Sequence, residues 1–339
     1  MKKNLVKGIL YVLGIIAIVL IVVNTDLKEV FVHIRSLPPK SIVLLLLSQC
    51  FTIFLLALQW KSMALRVKKN VSFFDALMMN AKGSVVDAIT PGVKAGGELA
   101  RVYELRKRLK IDFGKATIIV GLQKTLSLFS FLFLTLFSLI WFSFNMSIKY
   151  RHYLYAFAGV IAIFAIFLTA LILFSLSPDM LIKTLNRFLS RTKLMVRIDK
   201  TLRDYSGIIR DLLRDKKKFF SQLLLALFIW VFYAFKLYLV MRGLAIDMDF
   251  ISIAAITFLT YIMGMIPILP GSIGSFESSM LVLLAIKGIP MEMGLSVAFI
   301  FRFATFWFEF IISGAILMLD NIFSYVRGRK GDKNVEVTT

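Results

Sequence analysis

Cysteine and histidine are almost missing from this sequence of 339 residues, which contains one cysteine, Cys50, and two histidines, His33 and His152. A disulfide needs two cysteines, and a zinc site or a Cys/His nucleophilic pair needs several such side chains close together. The most glycine-rich stretch, residues 92–97, lacks the lysine and serine or threonine of a nucleotide-binding loop. We therefore predict no metal, no cofactor and no ATP-driven chemistry in this chain.

Charged residues are also scarce, whereas apolar residues are abundant. Only 18% of the residues are charged, against about 25% in soluble domains. Hydrophobic residues make up 59%, and the mean hydropathy is +0.82. These values are typical of an integral membrane protein and leave no room for a large water-soluble domain. Since a spanning helix takes roughly 20 apolar residues, this length accommodates about six to eight spans with their loops.

Six apolar runs are long enough to cross a bilayer, and we predict a spanning helix in each. They cover residues 5–23, 41–60, 116–144, 153–176, 219–241 and 294–319. Two further apolar regions, 73–99 and 250–286, contain a Pro-Gly pair, so we interpret each as a broken, re-entrant helical hairpin. The predicted fold class is all-α, a polytopic membrane protein of about six full spans and two re-entrant hairpins.

The distribution of basic residues predicts how the helices are oriented. The chain carries 41 Lys and Arg against 20 Asp and Glu, a net charge of +21. This excess fits orientation by cytoplasmic positive charge and contact with anionic lipids better than nucleic-acid binding. With a cytoplasmic N-terminus and hairpins that return to their own side, 29 of the 41 basic residues lie in cytoplasmic segments and 7 in external ones. We expect both termini in the cytoplasm and a multi-pass protein of the inner (plasma) membrane.

The whole chain, residues 1–339, is expected to form a single transmembrane domain. Its segments are a first half (1–176) with a retained anchor span (5–23) and the hairpin 73–99, a connector (177–218), a second half (219–319) with the hairpin 250–286, and a cytoplasmic tail (320–339). In the connector, apolar residues recur at three- and four-residue steps between basic ones. This pattern predicts amphipathic helices on the inner membrane surface.

The two halves are related by an internal repeat. A shift of 179 residues places Pro91-Gly92 on Pro270-Gly271 and Glu98 on Glu277, so both interrupted regions carry the pattern Pro-Gly-x5-Glu. The flanking apolar runs align under the same shift. Because three predicted spans separate the hairpins, they enter from opposite sides, and the repeat is predicted to be inverted. In transporters of this design, broken helices meet near the bilayer midplane and form the substrate site.

Each glutamate of this pattern lies in the opening turn of a helix that restarts after the Pro-Gly pair. Two interpretations remain open for Glu98 and Glu277. They cap free backbone amides and offset the helix dipole, or they hold an amine, a sugar hydroxyl or a proton of a substrate. The glycines Gly96, Gly97 and Gly274 would let a phosphate headgroup approach the same helix N-termini.

Arg302 and Glu309 lie within the last predicted span, where each charge costs about 2.5–3.5 kcal/mol near the bilayer centre. Both therefore need partners or water. Seven residues apart, they are expected to share one face of a helix, and Glu98 and Glu277 are the expected partners of Arg302. Near the first Pro-Gly pair, Lys94 is the best candidate for a phosphate contact. The complete set of candidate substrate-binding and translocation residues is Asp87, Pro91, Gly92, Lys94, Gly96, Gly97, Glu98, Arg101, Pro270, Gly271, Gly274, Glu277, Arg302 and Glu309.

The stretches around both Pro-Gly pairs resemble a known family. Residues 89–101, ITPGVKAGGELAR, and residues 267–277, PILPGSIGSFE, together with Arg302, are similar to the transmembrane, flippase-like region of bacterial lysylphosphatidylglycerol synthases and its stand-alone relatives. The resemblance extends across nearly the whole chain. It implies a polytopic protein with re-entrant helices and an inner-to-outer path for phospholipid or polyprenyl-linked headgroups.

Two features depart from the family pattern. The arginine that the family has in the helix of the first half is Gln123 here, with Lys124 beside it, which leaves open whether this half contributes a cation. Only twenty residues follow Leu319, so we expect no aminoacyl-transferase domain and no synthesis of an aminoacylated lipid.

The expected function is transport rather than catalysis, and no catalytic residue is predicted. A flippase-like protein would bind and translocate an amphiphilic lipid with a phospholipid, aminoacylated, polyprenyl-linked or glycolipid headgroup. The expected partners are membrane lipids with anionic headgroups and no nucleic acid, with a second copy or a lipid synthase as further candidates. Two alternatives remain: an intramembrane transferase with Glu98 or Asp87 as general base, and a scaffold subunit of a membrane lipid or glycan synthase.

Overall fold

The computed structural model describes residues 27–90, 95–145, 151–176, 193–265 and 272–336, together with residues 179 and 182. Throughout these ranges the chain forms helices joined by short turns, without strands. The all-α class and the membrane-protein character are confirmed at this level. The predicted anchor span, 5–23, lies outside the described residues.

Six helices form the first part of the described chain. They are α1 (Leu27–Ser36), α2 (Pro39–Ala64), α3 (Phe73–Ile89), α4 (Ala95–Leu109), α5 (Phe113–Phe144) and α6 (Arg151–Leu176).

Six further helices and one π-helical turn follow. They are α7 (Lys193–Arg214), α8 (Lys216–Gly243), α9 (Phe250–Gly264), α10 (Ser275–Ile286), α11 (Met291–Arg302), the π-helical turn (Phe303–Trp307) and α12 (Phe308–Glu336).

Four helices of the described chain are long and apolar enough to cross a membrane. They are α2, α5, α8 and the continuous stretch Met291–Ile322, which joins α11, the π-helical turn and the start of α12. They contain 26 to 32 residues each, so at 1.5 Å per residue they measure about 39–48 Å, more than the roughly 30 Å hydrocarbon core. They coincide with four of the predicted spans. The span predicted at 153–176 coincides with α6.

Polar side chains fix the starts of several helices. Ser72 Oγ accepts a hydrogen bond from a backbone amide at the start of α3 at 3.0 Å, and Asp249 Oδ1 does the same for α9 at 2.8 Å. At the start of α5, the backbone amide of Lys115 donates to Asp112 at 2.9 Å and lowers the pKa of this carboxyl. Such caps satisfy amides that have no partner inside the helix, each contributing about 1 kcal/mol.

Each interrupted region consists of two short helices with a break between them. The helix α3 ends at Ile89 before α4 begins at Ala95, and α9 ends at Gly264 before α10 begins at Ser275. These arms have 12 to 17 residues and are about 18–26 Å long, shorter than the hydrocarbon core. The helix α4 continues to Leu109, so much of the chain beyond the predicted end of the hairpin at residue 99 is helical.

The helix bounds recur at the offset found in the sequence. Adding 179 to the bounds of α2, α3 and α4 reproduces those of α8, α9 and α10 to within four residues, and α5 begins one residue from the corresponding start of α11. Contacts between the halves are reciprocal as well. The helix α2 packs against α8, α3 against α12, and α9 against α5. The two halves therefore pack against each other through these helix pairs.

The predicted connector contains α7, which lies along α5. The hydroxyl of Tyr205 is 3.0 Å from Thr125 Oγ1. A Cβ at Gly121 would come within 3.3 Å of the Tyr205 ring, so the small residue lets the two helices approach closely. In the same way, α1 packs against α11 in the other half.

Candidate functional site

The charged residues of the first interrupted region lie together where α3 ends and α4 begins. Arg101 Nη2 is 3.1 Å from Asp87 Oδ2, and Arg101 Nη1 is 3.5 Å from Glu98 Oε2. Lys124 of α5 places its Nζ 3.0 Å from the other oxygen of Glu98. We call these four residues the α3–α4 charge group. Its two acids and two bases balance, which lowers the cost of burying them in an apolar surrounding.

Close packing of the two helix ends fills the space that we expected beside the glycines. The backbone amide of Gly97 donates to Asp87 Oδ1 at 3.0 Å. A Cβ at Gly97 would lie 2.2 Å from the Asp87 carboxylate, and a Cβ at Gly96 would lie 2.4 Å from Thr90 Oγ1. Glycine is required here because α3 and α4 approach closely. The expected room for a phosphate at this N-terminus holds the carboxylate of Asp87 instead.

Glu277 both caps its own helix, which is the first of the two interpretations left open for it, and pairs with Arg302. Its Oε2 accepts a hydrogen bond from the backbone amide of Gly274 at 2.7 Å, and its Oε1 is 3.5 Å from Arg302 Nε. Gly274 has a φ of +86°, a conformation that glycine adopts without the steric cost of a side chain. The turn before α10 therefore orients Glu277 toward α11.

The guanidinium of Arg302 lies between two aromatic rings. Its Cζ is 4.7 Å from the centre of the Phe276 ring and 4.3 Å from that of Phe306. The side chain is 8% exposed, and within the described residues its Nε and Nη2 atoms have no hydrogen-bond acceptor. Most buried donors in proteins are hydrogen-bonded. Arg302 thus retains donors that a further acceptor could use.

The π-helical turn directs Arg302 and Glu309 toward different partners. Arg302 faces Glu277 of α10, whereas Glu309 accepts hydrogen bonds from Gln49 of α2 and Ser84 of α3. Seven residues of a regular α-helix end close to the starting face, but one extra residue in a π turn rotates the following side chains by about 100°. The prediction that both charges share one face is therefore wrong. Of the two expected partners of Arg302, the structure places Glu277 beside it.

A buried lysine that our sequence analysis did not select lies beside Glu309. Lys236 of α8 has no exposed surface, and its Nζ donates to Gln49 Oε1 and lies 3.9 Å from the centre of the Tyr233 ring. The amide of Gln49 donates in turn to Glu309 Oε2 at 3.0 Å, and Ser84 Oγ donates to Glu309 Oε1 at 2.7 Å. We call Gln49, Ser84, Lys236 and Glu309 the Lys236–Glu309 group. A lysine within the apolar run 219–241 was the signal that could have identified it.

These groups lie within electrostatic range of one another. Glu309 interacts with Arg101 and with Lys236, and Tyr261 interacts with both Glu309 and Arg302. Among the described residues of these groups, the acids and bases are equal in number. They are Asp87, Glu98, Glu277 and Glu309 against Arg101, Lys124, Lys236 and Arg302. When all are ionised, this set carries no net charge.

The position that departs from the family pattern has its own partner. Gln123 Nε2 donates to Gln59 Oε1 at 3.0 Å, and the neighbouring Lys124 supplies the cation that contacts Glu98. The first half therefore does contribute a cation. Five further predicted site residues lie outside the described part of the chain. They are Pro91, Gly92, Lys94, Pro270 and Gly271.

Comparison with known proteins gives one family match and several similar chains. The family described as "Lysylphosphatidylglycerol synthase TM region" matches residues 8–313. A UPF0104 membrane protein of Methanothermobacter thermautotrophicus is 23% identical over 311 residues, which cover 89% of this chain and 92% of that protein. One of Methanocaldococcus jannaschii is 25% identical over 332 residues, with coverages of 94% and 96%. One of Pyrococcus horikoshii is 22% identical over 333 residues, with coverages of 93% and 97%.

Proposed function

Because this chain belongs to the lysylphosphatidylglycerol synthase TM region family, we propose that it is a flippase-like transporter. It binds an amphiphilic lipid and moves the headgroup across the plasma membrane. Transport needs a polar site inside an apolar helical bundle. The α3–α4 charge group, the pair of Arg302 and Glu277, and the Lys236–Glu309 group supply such a site.

The buried guanidinium of Arg302 is the single observation that carries this proposal. It has one carboxylate at 3.5 Å and two buried nitrogens without an acceptor among the described residues. A lipid phosphate offers acceptor oxygens in the geometry that a guanidinium matches. The same phosphate would lie close to the N-terminus of α10, whose dipole favours negative charge. An anionic headgroup is therefore the substrate feature that this site fits.

Contacts at the ends of the interrupted regions support the re-entrant hairpins. Arg108, near the end of α4, is 3.9 Å from Asp75 at the start of α3. Lys287, which follows α10, is within electrostatic range of Asp249, which precedes α9. These contacts support hairpins that each return to the side from which they start. With the excess of basic residues in the predicted cytoplasmic segments, the first hairpin opens to the cytoplasm and the second to the outside.

Reciprocal packing supports the inverted repeat. The contact of α3 with α12 corresponds, under the 179-residue offset, to the contact of α9 with α5. Such pairs are what a pseudo-two-fold axis between two halves produces, and in inverted-repeat transporters the halves rock about a fixed site. We propose this rocking as the mechanism by which the headgroup gains access to each side in turn.

Movement of a fluorescent lipid in vesicles tests the proposed function. The full chain is reconstituted in phosphatidylcholine vesicles that contain a short-chain, NBD-labelled phosphatidylglycerol, and albumin extracts the label from the outer leaflet. Label that starts in the inner leaflet becomes extractable only after it has crossed the membrane. Wild-type protein is expected to speed the extraction of this label. Arg302→Ala should fold and slow this transport about tenfold or more, since one charge-assisted hydrogen bond contributes about 1.5–3 kcal/mol.

Arg242→Ala is the matched control. Arg242 also contacts a carboxylate, Asp247 at 2.9 Å, and a ring, Tyr238 at 5.4 Å, but its side chain is half exposed. Its loss should leave transport unchanged. Wild-type rates equal to those of protein-free vesicles would refute the transporter proposal, and normal transport by Arg302→Ala would remove Arg302 from the mechanism.

Two further observations, one in the vesicles and one in cells, separate the two alternative functions. Chemical conversion of the labelled lipid would indicate a transferase. A cellular phenotype that survives Arg302→Ala but is lost on changes in α7 would indicate a scaffold for a membrane-bound synthase.

A further inference from the structure

The Lys236–Glu309 group joins the two halves and has no counterpart under the internal repeat. Under the 179-residue offset, the positions that correspond to Gln49, Lys236 and Glu309 hold Phe228, Ala57 and Ser130. The fold shared by the halves therefore does not need these polar side chains. Burying a lysine and a glutamate within spanning helices is costly, and such residues are usually functional.

An amide separates the two charges of this group. Lys236 donates to the oxygen of Gln49, whose nitrogen donates to Glu309 at 3.0 Å. In a direct ion pair the carboxylate would be held in its ionised form by contact with the cation. Here its oxygens meet only the neutral donors Gln49 and Ser84 at hydrogen-bond distance, among the side-chain contacts of the described residues. Among these contacts, no cation touches the carboxylate of Glu309 directly.

The hydrogen bonds of Glu309 accommodate a proton without rearrangement of the helices. A hydroxyl can accept as well as donate. Ser84 Oγ is 2.7 Å from Glu309 Oε1, so a protonated Oε1 can donate to Ser84. The Gln49 amide continues to donate to Oε2, which remains an acceptor. Ser84 is also half-buried, whereas Gln49 and Lys236 are fully enclosed.

Charge balance links this proton to the headgroup. The groups facing Glu309 and Lys236 are Gln49 from α2, Ser84 from α3, Arg101 from α4, Tyr233 from α8 and Tyr261 from α9, with Arg302 of α11 next to Tyr261. With all acids and bases ionised, the interior set is neutral. A proton on Glu309 leaves one uncompensated positive charge there. An anionic headgroup restores neutrality, so each favours the binding of the other.

We propose that Glu309 is a proton-binding site that couples passage of an anionic lipid headgroup to a proton gradient. The proton leaves water on the more acidic side, bonds to a carboxyl oxygen of Glu309, and returns to water on the other side when the headgroup leaves. No other bond forms or breaks. This inference rests on the proposed transport function and names its energy source.

Parallel measurement of lipid and proton movement tests the coupling. Full-length protein is reconstituted in phosphatidylcholine vesicles with pyranine inside, and NBD-phosphatidylglycerol or NBD-phosphatidylcholine is followed by albumin extraction, with and without an imposed pH gradient. At one proton per lipid, a gradient of about two pH units changes the equilibrium distribution of label about 100-fold. We expect this shift for the anionic lipid, accompanied by proton flux, and little shift for the zwitterionic one.

Three variants identify the site. Glu309→Gln should abolish the response to the gradient while some equilibration of label persists. Lys236→Met, which removes the cation but keeps the carboxyl, should lose the preference for phosphatidylglycerol over phosphatidylcholine. Glu104→Gln is the matched control, because Glu104 is also an enclosed carboxylate, 3% exposed, but it accepts from Arg108 at 2.7 Å and is not a member of the group. It should respond to the gradient as the wild type does.

The outcomes separate the inference from the function on which it rests. Wild-type transport that is unaffected by the gradient and carries no protons would overturn the coupling but leave the proposed transport function standing. This test needs the wild-type protein alone. A Glu309→Gln protein that still responds fully would exclude Glu309 as the site. Absence of lipid movement in every condition would overturn both proposals.

Discussion

Replacing Arg302 and Glu277 together is expected to cost less stability than the sum of the two single replacements. At 3.5 Å, an effective dielectric constant of about 20 gives a gross attraction of about 5 kcal/mol. Desolvation opposes this attraction, so the measurable quantity is the cost of breaking the pair. Arg302→Met leaves a buried carboxylate that, among the described residues, keeps the Gly274 amide as its hydrogen-bond donor, and it should cost about 3–5 kcal/mol. Glu277→Gln should cost about 2–4 kcal/mol, because the glutamine oxygen can still accept from that amide.

The double variant should cost about as much as Arg302→Met alone, so the coupling energy should equal the cost of Glu277→Gln, about 2–4 kcal/mol. The free energy of unfolding is measured by titration with a denaturing detergent in mixed micelles, followed by the fluorescence of the four tryptophans. The exposed pair of Arg242 and Asp247, at 2.9 Å, is the control cycle and should give less than about 1 kcal/mol. Equal coupling in the two cycles would show that burial does not strengthen the Arg302–Glu277 pair.

Two further predictions concern the hairpins. Gly97→Ala should destabilise the protein by about 1–3 kcal/mol, because the new Cβ would collide with the Asp87 carboxylate. Gly207→Ala on α7 is the control and should be neutral or stabilising, since no atom lies within 4 Å of its new Cβ. Equal unfolding midpoints for both variants would contradict the close approach of α3 and α4. The orientation is tested by cysteine labelling in a protein whose single native cysteine has been replaced. Lys287→Cys should react with a membrane-impermeant maleimide added to intact cells, whereas Lys69→Cys should react only after the membrane is opened. The opposite pattern would reverse the orientation.

The interrupted helices could be predicted because their signals are local. A Pro-Gly pair inside an apolar run breaks a helix whichever other helices pack against it. The glutamate that follows is then placed in an opening turn. The pairing of Glu277 with Arg302 followed from two facts of sequence, a charge within a spanning helix and an acid near the break. Both observations hold without any knowledge of which helices are neighbours.

The Lys236–Glu309 group could not be predicted in the same way. Gln49 is 187 residues from Lys236 and 260 residues from Glu309, and the internal repeat provides no equivalent contact to suggest the pairing. The π-helical turn adds a second obstacle, because it rotates Glu309 away from the face of Arg302 on which a regular helix would place it. Its five residues, FATFW, carry no proline or glycine that would mark an irregularity.

The two halves solve the same electrostatic problem from different helix positions. Successive residues on a helix point about 100° apart, so Lys124 cannot simply take the direction that Gln123 has, and its longer side chain reaches Glu98 while Gln123 turns to Gln59. Within the described part of the chain, the structure shows two cations beside Glu98 and one beside Glu277. The negative charge is thus better compensated in the first half, and among the described residues Arg302 has two buried nitrogens without an acceptor whereas Arg101 has one. An anionic headgroup should therefore be held mainly by the second half.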